Sequence, residues 1–328
     1  NVAVGYQSLK ANISGSSNTA VGVSALVAHT GTFGTAVGFE ALKANTTGSQ
    51  NTAMGYQSML TNLSADQNTA YGSQSLKLNS TGTANVAVGY TALSANLGDN
   101  NTAVGWGAGA ATTTGHVTAV GRSTLGNNTT GTGNVAVGGN DTAVGAALAV
   151  VTTGNYNTAM GVGAAKTTNA NNNCAFGYQA LENATTAPNN VAVGWQAGVG
   201  LTTSTAIGQN VFVGYNCATN VTVGYSDVYV GASITASGVG PTNEIVIGQG
   251  CTGKGSSTGF ISPSTGGVYQ GNNSTTWSTT SDQRLKKNIV DNNVGLEKIT
   301  AIQVRNFEYR LPEEVDAELK PQDAIQKE

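Results

Sequence analysis

The chain has 328 residues, 45 of them Gly, with 9% charged, 6% aromatic and a formal net charge of −3. So few bulky apolar side chains exclude a thick globular core, and without a basic excess a phosphate-binding surface is not expected, so nucleic acid is not a predicted partner. No apolar run reaches the roughly 18 residues that a membrane span requires, and no signal-peptide pattern is visible.

Taken from the N-terminus, the chain opens on Asn1-Val2-Ala3-Val4-Gly5, the middle of a repeat, so it is expected to continue a longer chain. A unit close to Asn-Thr-Ala-Val-Gly recurs with its Gly at 5, 22, 38, 55, 72, 89, 105, 121, 138, 145, 161, 177 and 194. The spacing is 16 or 17 residues, apart from a short insertion between Gly138 and Gly145. Ala stands two positions before every one of these Gly, and Asn stands four before in ten of the thirteen. A period this short cannot house a pair of helices but fits one turn of a β-solenoid. The predicted fold is therefore all-β: a β-solenoid, or β-roll, of about 16–17-residue coils.

Alternation along a strand puts the Thr or Val three before the Gly on one face with the Val just before it, and Ala with Gly on the other. The interior of each coil is expected to hold Ala, Val and the Leu that recurs four after the Gly (Leu9, Leu26, Leu42, Leu76, Leu93, Leu125, Leu181). A second Gly, nine or ten positions on (Gly15, Gly31, Gly48, Gly82 and others), reads as a turn residue tolerating positive φ. Stacked coils would bring the recurrent Asn into a ladder of side-chain amides. Tyr6, Phe39, Tyr56, Tyr90, Trp106, Tyr178 and Trp195 all follow a repeat Gly. Exposed, that row would stack on sugar rings; buried, it is core or a contact between chains, the reading favoured here.

Residues 1–204 form the regular roll. From 205 to 248 the Val-Gly or Ile-Gly units crowd together, at Gly208, Gly214, Gly224, Gly231 and Gly248, which reads as a region of shorter coils. Residues 249–280 are rich in Gly, Ser and Thr and form a neck. A coil so lean buries little per chain, and repeat arrays depend on neighbour contacts and capped ends. An open, charge-poor roll is an aggregation hazard that bundling with identical chains removes.

The Asn-x-Ala-Val-Gly repeat, across roughly residues 1–250, resembles the head of trimeric autotransporter adhesins, and similar repeats occur in phage tail fibres. The resemblance implies a left-handed roll and a homotrimer.

Charge marks the last boundary. Residues 1–280 carry 13 charged side chains and residues 281–328 carry 18. At that boundary stands Ser281-Asp282-Gln283-Arg284-Leu285-Lys286-Lys287-Asn288-Ile289. This string resembles the opening of the endosialidase-type, auto-cleaving intramolecular chaperone of phage tail spikes and fibres, in which Asp282, Arg284, Leu285, Asn288 and Ile289 carry the motif. The resemblance implies a small α+β segment over 281–328, the N-terminal and incomplete part of that chaperone. It further implies trimerisation of the fibre and cleavage between Thr280 and Ser281, with Ser281 as nucleophile and Lys286 as its base. A Ser hydroxyl needs such a base, and Lys serves when its surroundings lower its pKa. Partners implied are a second and third copy, other tail proteins and a host cell-surface glycan or protein receptor, at the virion tail; a bacterial surface adhesin head is the alternative.

Other signals are set aside. Gly248 to Lys254 nearly spells a phosphate-binding loop, but Gly255 stands where Ser or Thr should hold Mg²⁺. Cys174, Cys217 and Cys251 are too few and too far apart for a disulfide framework or a zinc site. His29 and His116 read as surface turn residues. A glycan-degrading site needs paired carboxylates, and the scattered charges of the roll offer none. No cofactor or metal is expected, and no activity beyond single-turnover self-cleavage.

Overall fold

The computed structural model describes residues 1–139, 145–203, 208–263, 266–271 and 276–279. The chain divides into two units, Asn1–Thr280 and Ser281–Glu328, and the second lies outside the described residues.

The first unit is a stack of short strands: β1 (Val2–Val4), β2 (Thr19–Val21), β3 (Thr35–Val37), β4 (Thr52–Met54), β5 (Thr69–Tyr71), β6 (Val86–Val88), β7 (Thr102–Val104), β8 (Thr118–Val120) and β9 (Val135–Val137). It continues with β10 (Thr158–Met160), β11 (Cys174–Phe176), β12 (Val191–Val193), β13 (Val211–Val213), β14 (Val228–Val230), β15 (Ile245–Gly248), β16 (Gly259–Ser262), β17 (Val268–Gln270) and β18 (Ser278–Thr279). Each strand from β1 to β15 pairs in parallel with the next, Ala over Ala as far as β12, as in Ala20 on Ala36 and Ala87 on Ala103. The fold is thus a parallel β-solenoid of about 15 turns, rising roughly 70 Å at ~4.8 Å per coil. Then β17 and β18 pair antiparallel, so the stack ends in a reversal that covers its last parallel edge.

The predicted Asn ladder is present, and its chemistry is specific. Where the coil before also carries Asn, the backbone N–H of the strand-leading Asn donates to its Oδ1: Asn68 to Asn51 at 3.0 Å, Asn85 to Asn68 at 2.9 Å, Asn101 to Asn85 at 2.9 Å. The Nδ2 of the same side chain donates across its own coil to a turn carbonyl, as Asn68 does to Gly82 O at 2.9 Å. A second Asn, three after the Leu, shares that acceptor: Asn79 Nδ2 reaches Gly82 O at 2.8 Å. These Asn are fully buried, where an unpaired amide would cost roughly 1–3 kcal/mol, so the pairing fixes the register between the coils it joins.

Three differences from the sequence reading follow from how narrow the coil is. First, the strand Ala lie inside with no exposure from Ala20 to Ala192, while the flanking Thr and Val point outward and stay half exposed. The interior is too thin for two β-branched rows; the Leu arriving from the far side of the coil fills it. Second, the turn Gly such as Gly82 is not in the left-handed region; a Cβ there would stand 2.3 Å from Gly98 O of the next coil. Left-handed φ falls instead on the residue before each Asn, such as Gln67 (61°), and on Gln74 (58°) and Leu76 (48°) of the second segment. Non-Gly residues seldom adopt it, and each such placement costs about 1–3 kcal/mol, comparable to the gain of about 1.5–3 kcal/mol from burying one Leu. Third, His29 is a core residue. It occupies the second-Asn position, fully buried, with Nε2 3.2 Å from Asn18 Oδ1 and Nδ1 unpaired. His116 is exposed, as read.

The later coils also differ. Strand starts at 191, 211, 228, 245 and 259 give coils of 20, 17, 17 and 14 residues, so the coils up to β15 are full-sized rather than shortened. Gly208 and Gly224 belong to connecting segments, not strands. In this region the strand Ala gives way to Phe212 and Tyr229, both fully buried and stacked at 5.8 Å. Room comes from the opposite row, where Gly198 and Ala218 replace Leu; a Cβ on Gly198 would meet the Phe212 ring at 2.6 Å. Earlier in the stack, β9 pairs with β10 across 23 residues, so the insertion after Gly138 is absorbed within one coil.

Two predictions follow. Asn85→Ala strands the Asn101 N–H, while the Gly98 carbonyl keeps Asn96 Nδ2 at 2.8 Å, and should cost about 1–3 kcal/mol; urea unfolding, with faster amide exchange at Asn101, checks it. Burial holds the His29 imidazole below its ordinary 6.5, favouring the neutral ring. Its contribution is therefore complete above pH 6.5 and is lost as pH falls below it. Amide exchange of the first coils should accelerate on acidification in the parent, and that step should vanish in His29→Asn.

Candidate interaction surface

None of the strands β1–β16 contains a charged residue. Their outward side chains form two parallel rows. One runs Thr19, Thr35, Thr52, Thr69, Val86, Thr102 and onward; the other runs Val21, Val37, Met54, Tyr71, Val88, Val104 and onward. These outward side chains range from half-buried, as in Thr19, Val21, Thr35 and Val37, to exposed, as in Val104 at 38%, Val193 at 41% and Tyr71 at 52%. At the far end Ile245, Ile247, Ile261 and Trp277 line a cavity of about 500 Å³ on the same face. The second of these rows is a continuous apolar one, a feature that marks interaction surfaces when it is exposed, and the face carries none of the charges with which natural edges and faces resist association.

Beside this face runs the row after each repeat Gly. Apart from half-buried Tyr178 its rings are exposed, with Tyr90 at 47% and Trp106 at 51%, so they are not core of the chain; the other half of the sequence expectation, a contact between chains, concerns the assembly. They stack on one another along the axis: Phe39 on Tyr56 at 5.6 Å, Tyr90 on Trp106 at 6.1 Å, Tyr178 on Trp195 at 4.1 Å. Arg122 lies 5.0 Å from the centroid of the Trp106 ring. Ring faces that would take a sugar are thus partly spent on neighbours, and what the row offers outward is chiefly edges. A shallow depression of about 310 Å³ adjoins Trp106, lined also by Thr91, Ser123 and Asn127. One position further along, side chains bond between coils: Gln196 Nε2 donates to Gln179 Oε1 at 2.6 Å, and Gln57 Nε2 to Glu40 Oε2 at 2.9 Å. The Lys43 ammonium, hydrogen-bonded at 2.7 Å, holds the Glu40 carboxyl below its ordinary range.

Cysteine chemistry divides by position. Cys217 is buried, and desolvation pushes its thiol up to about 12, whereas Cys174 sits on the outward row of β11, half-buried. All three cysteines are free, and no cluster of three or more His, Cys, Asp or Glu suited to a metal occurs among the described residues. The sequence-derived cleavage pair Thr280 and Ser281, the base Lys286 and the motif residues Asp282, Arg284, Leu285, Asn288 and Ile289 lie outside the described residues. Sequence reasoning missed the second Asn row, although its constant offset of three from the Leu was there to be read. No protein-family model, curated protein or solved structure matches the chain.

Removing one ring tests whether this row is peripheral. Trp106→Ala should lower stability by only about 1 kcal/mol, the worth of a stacked pair at the surface, with the far-UV spectrum unchanged. A loss of several kcal/mol in chemical denaturation would place Trp106 in the structural core.

Proposed function

We propose that this chain is the shaft and host-receptor-binding portion of a tailed-phage fibre, in which three copies pack through the outward strand face. The observation that carries this reading is the uncharged, half-exposed apolar stripe of β1–β16. A second copy of the same chain suits it for a geometric reason. Its rows repeat with the same axial rise, so side chains of one copy meet the gaps of the next along the whole length. The number three comes from the resemblance to trimeric adhesin heads. Receptor contact then falls to the sides left open, where the aromatic edges and turn residues project.

A bacterial surface adhesin head would use the same rod. The Ser281–Ile289 string favours the phage fibre, because it adds an assembly chaperone at the charge boundary. In that reading Lys286 takes the Ser281 hydroxyl proton, and Oγ attacks the Thr280 carbonyl carbon. The Thr280–Ser281 C–N bond breaks, and its nitrogen receives the proton as the free amine of Ser281. Water then hydrolyses the resulting ester, leaving a Thr280 carboxylate and restoring the hydroxyl.

Two experiments test the two halves. Cys174 lies in register with Val191 on the proposed interface, so thiol labelling reports packing directly. Labelling should be at least ten-fold faster in Val191→Lys/Val193→Lys than in the parent, with Cys217 and Cys251 unreactive in both; equal rates would remove the strand-face interface. For the chaperone, mass spectrometry of the expressed chain should show a product ending at Thr280, absent in Ser281→Ala. Identical intact masses would remove self-processing and leave the packing claim untouched.

A further inference from the structure

Near its end the Asn ladder changes chemistry. Asn210 is followed one coil on by Asp227 and then by Glu244, all fully buried. The axial bonds continue: Asp227 N–H donates to Asn210 Oδ1 at 3.0 Å, and Glu244 N–H to Asp227 Oδ1 at 2.8 Å. Glu244 is well supplied with donors. Its Oε2 accepts from the Tyr229 hydroxyl at 2.8 Å and the Ser237 N–H at 3.1 Å, and its Oε1 from the Gly255 N–H at 2.9 Å. Asp227 is not: its Oδ2 is buried without a partner.

The ladder's own register says what Oδ2 should face. In Asn51, Asn68 and Asn210 the Nδ2 donates to the carbonyl 14 residues on, respectively Ala65, Gly82 and Gly224. For Asp227 that position is Pro241. A Cβ placed on Gly224 would lie 2.5 Å from Asp227 Oδ2 and 3.1 Å from Pro241 O, so both oxygens border one point. Asp227 Oδ2 is thus unpaired beside the carbonyl to which Asn51, Asn68 and Asn210 supply an N–H in their own coils, and a proton on Oδ2 would supply the missing donor. Pro241 O, which already accepts the Tyr225 N–H at 3.2 Å, has a second lone pair to receive it.

We propose that Asp227 is a proton-carrying ladder residue, whose neutral carboxyl mimics Asn by donating from Oδ2 to the Pro241 carbonyl, and that its ionisation releases the last coils. The titratable groups facing it are Glu244 from the following coil and the Tyr229 phenol from its own. Both are acids, so neither stabilises a charged Asp227. Burial pushes the Asp227 carboxyl up to about 7, opposed by the Glu244 N–H and reinforced by the Glu244 charge. The folded value lies above the ordinary 3.8, so the stabilisation is complete below about pH 4 and is lost as pH rises from there through about 7. This slope is opposite to that of His29. The inference concerns a single chain and does not rest on the fibre reading.

Amide exchange of the full chain, corrected for intrinsic rates, tests it, with residues 68–105 as internal reference. In the parent, protection over residues 225–258 should fall by up to about ten-fold per pH unit between roughly pH 4 and 7, then level off. Asp227→Asn should keep the acid-level protection at pH 8. Infrared spectroscopy of the folded parent at pH 5 should show a neutral carboxylic-acid band that this variant lacks, a readout independent of stability. A pH-independent parent, or the absence of that band, overturns the proposal. So does restoration of protection at pH 8 by millimolar calcium, which would make the pair of oxygens a cation site.

Discussion

The whole roll depends on one short contact, the backbone N–H of a strand-leading residue reaching Oδ1 of the Asn one coil below. It sets the axial register, and the other half of the same amide ties the strand to its own turn. Where the donor coil lacks Asn the incoming bond persists, since Gly34 and Val117 still donate to Asn18 at 2.7 Å and to Asn101 at 3.0 Å. What those two positions cannot do is pass the bond onward, so the ladder runs in segments rather than as one unbroken chain. Strained left-handed residues recur in every coil, and a single Leu offsets only part of their cost. Each coil is therefore held by its neighbours, as expected of a one-dimensional array.

A thin interior has a consequence outside. Ala lines the inner strand face because the Leu row needs the space, and the β-branched residues that a strand favours are pushed to the outer face. The property that makes the coil foldable thus leaves it with an apolar stripe, and bundling with identical copies is the proposal that covers it. The aromatic row is a separate feature. Its rings stack along the axis, which stiffens the edge of the roll and withholds ring faces from flat ligands.

Much of this was legible in the amino-acid order. Period, parallel stacking and the Asn ladder could be read from the invariant offsets of Ala and Asn to the repeat Gly. Which strand face turns inward was not, because alternation defines two faces without naming the inner one, and side-chain bulk pointed the wrong way in so narrow a coil. His29 looked solitary because its partners are set by the next coil rather than by sequence neighbours. Gly208 and Gly224 matched the repeat locally yet fall between strands, while the coil count is set by Val211, Val228 and Ile245. The replacement of Asn by Asp227 becomes meaningful only once the 14-residue register to Pro241 is known. The Ser281 motif rests on its sequence resemblance and lies beyond the described residues.

Sedimentation equilibrium of the Ser281→Ala chain, which holds the polypeptide intact, addresses the central claim most directly. Three copies packed by their strand faces predict a single species of three times the 32.9 kDa chain mass across the concentration range. A species of 32.9 kDa with an undiminished β-sheet spectrum would contradict it, showing that the apolar stripe stands in water without a partner.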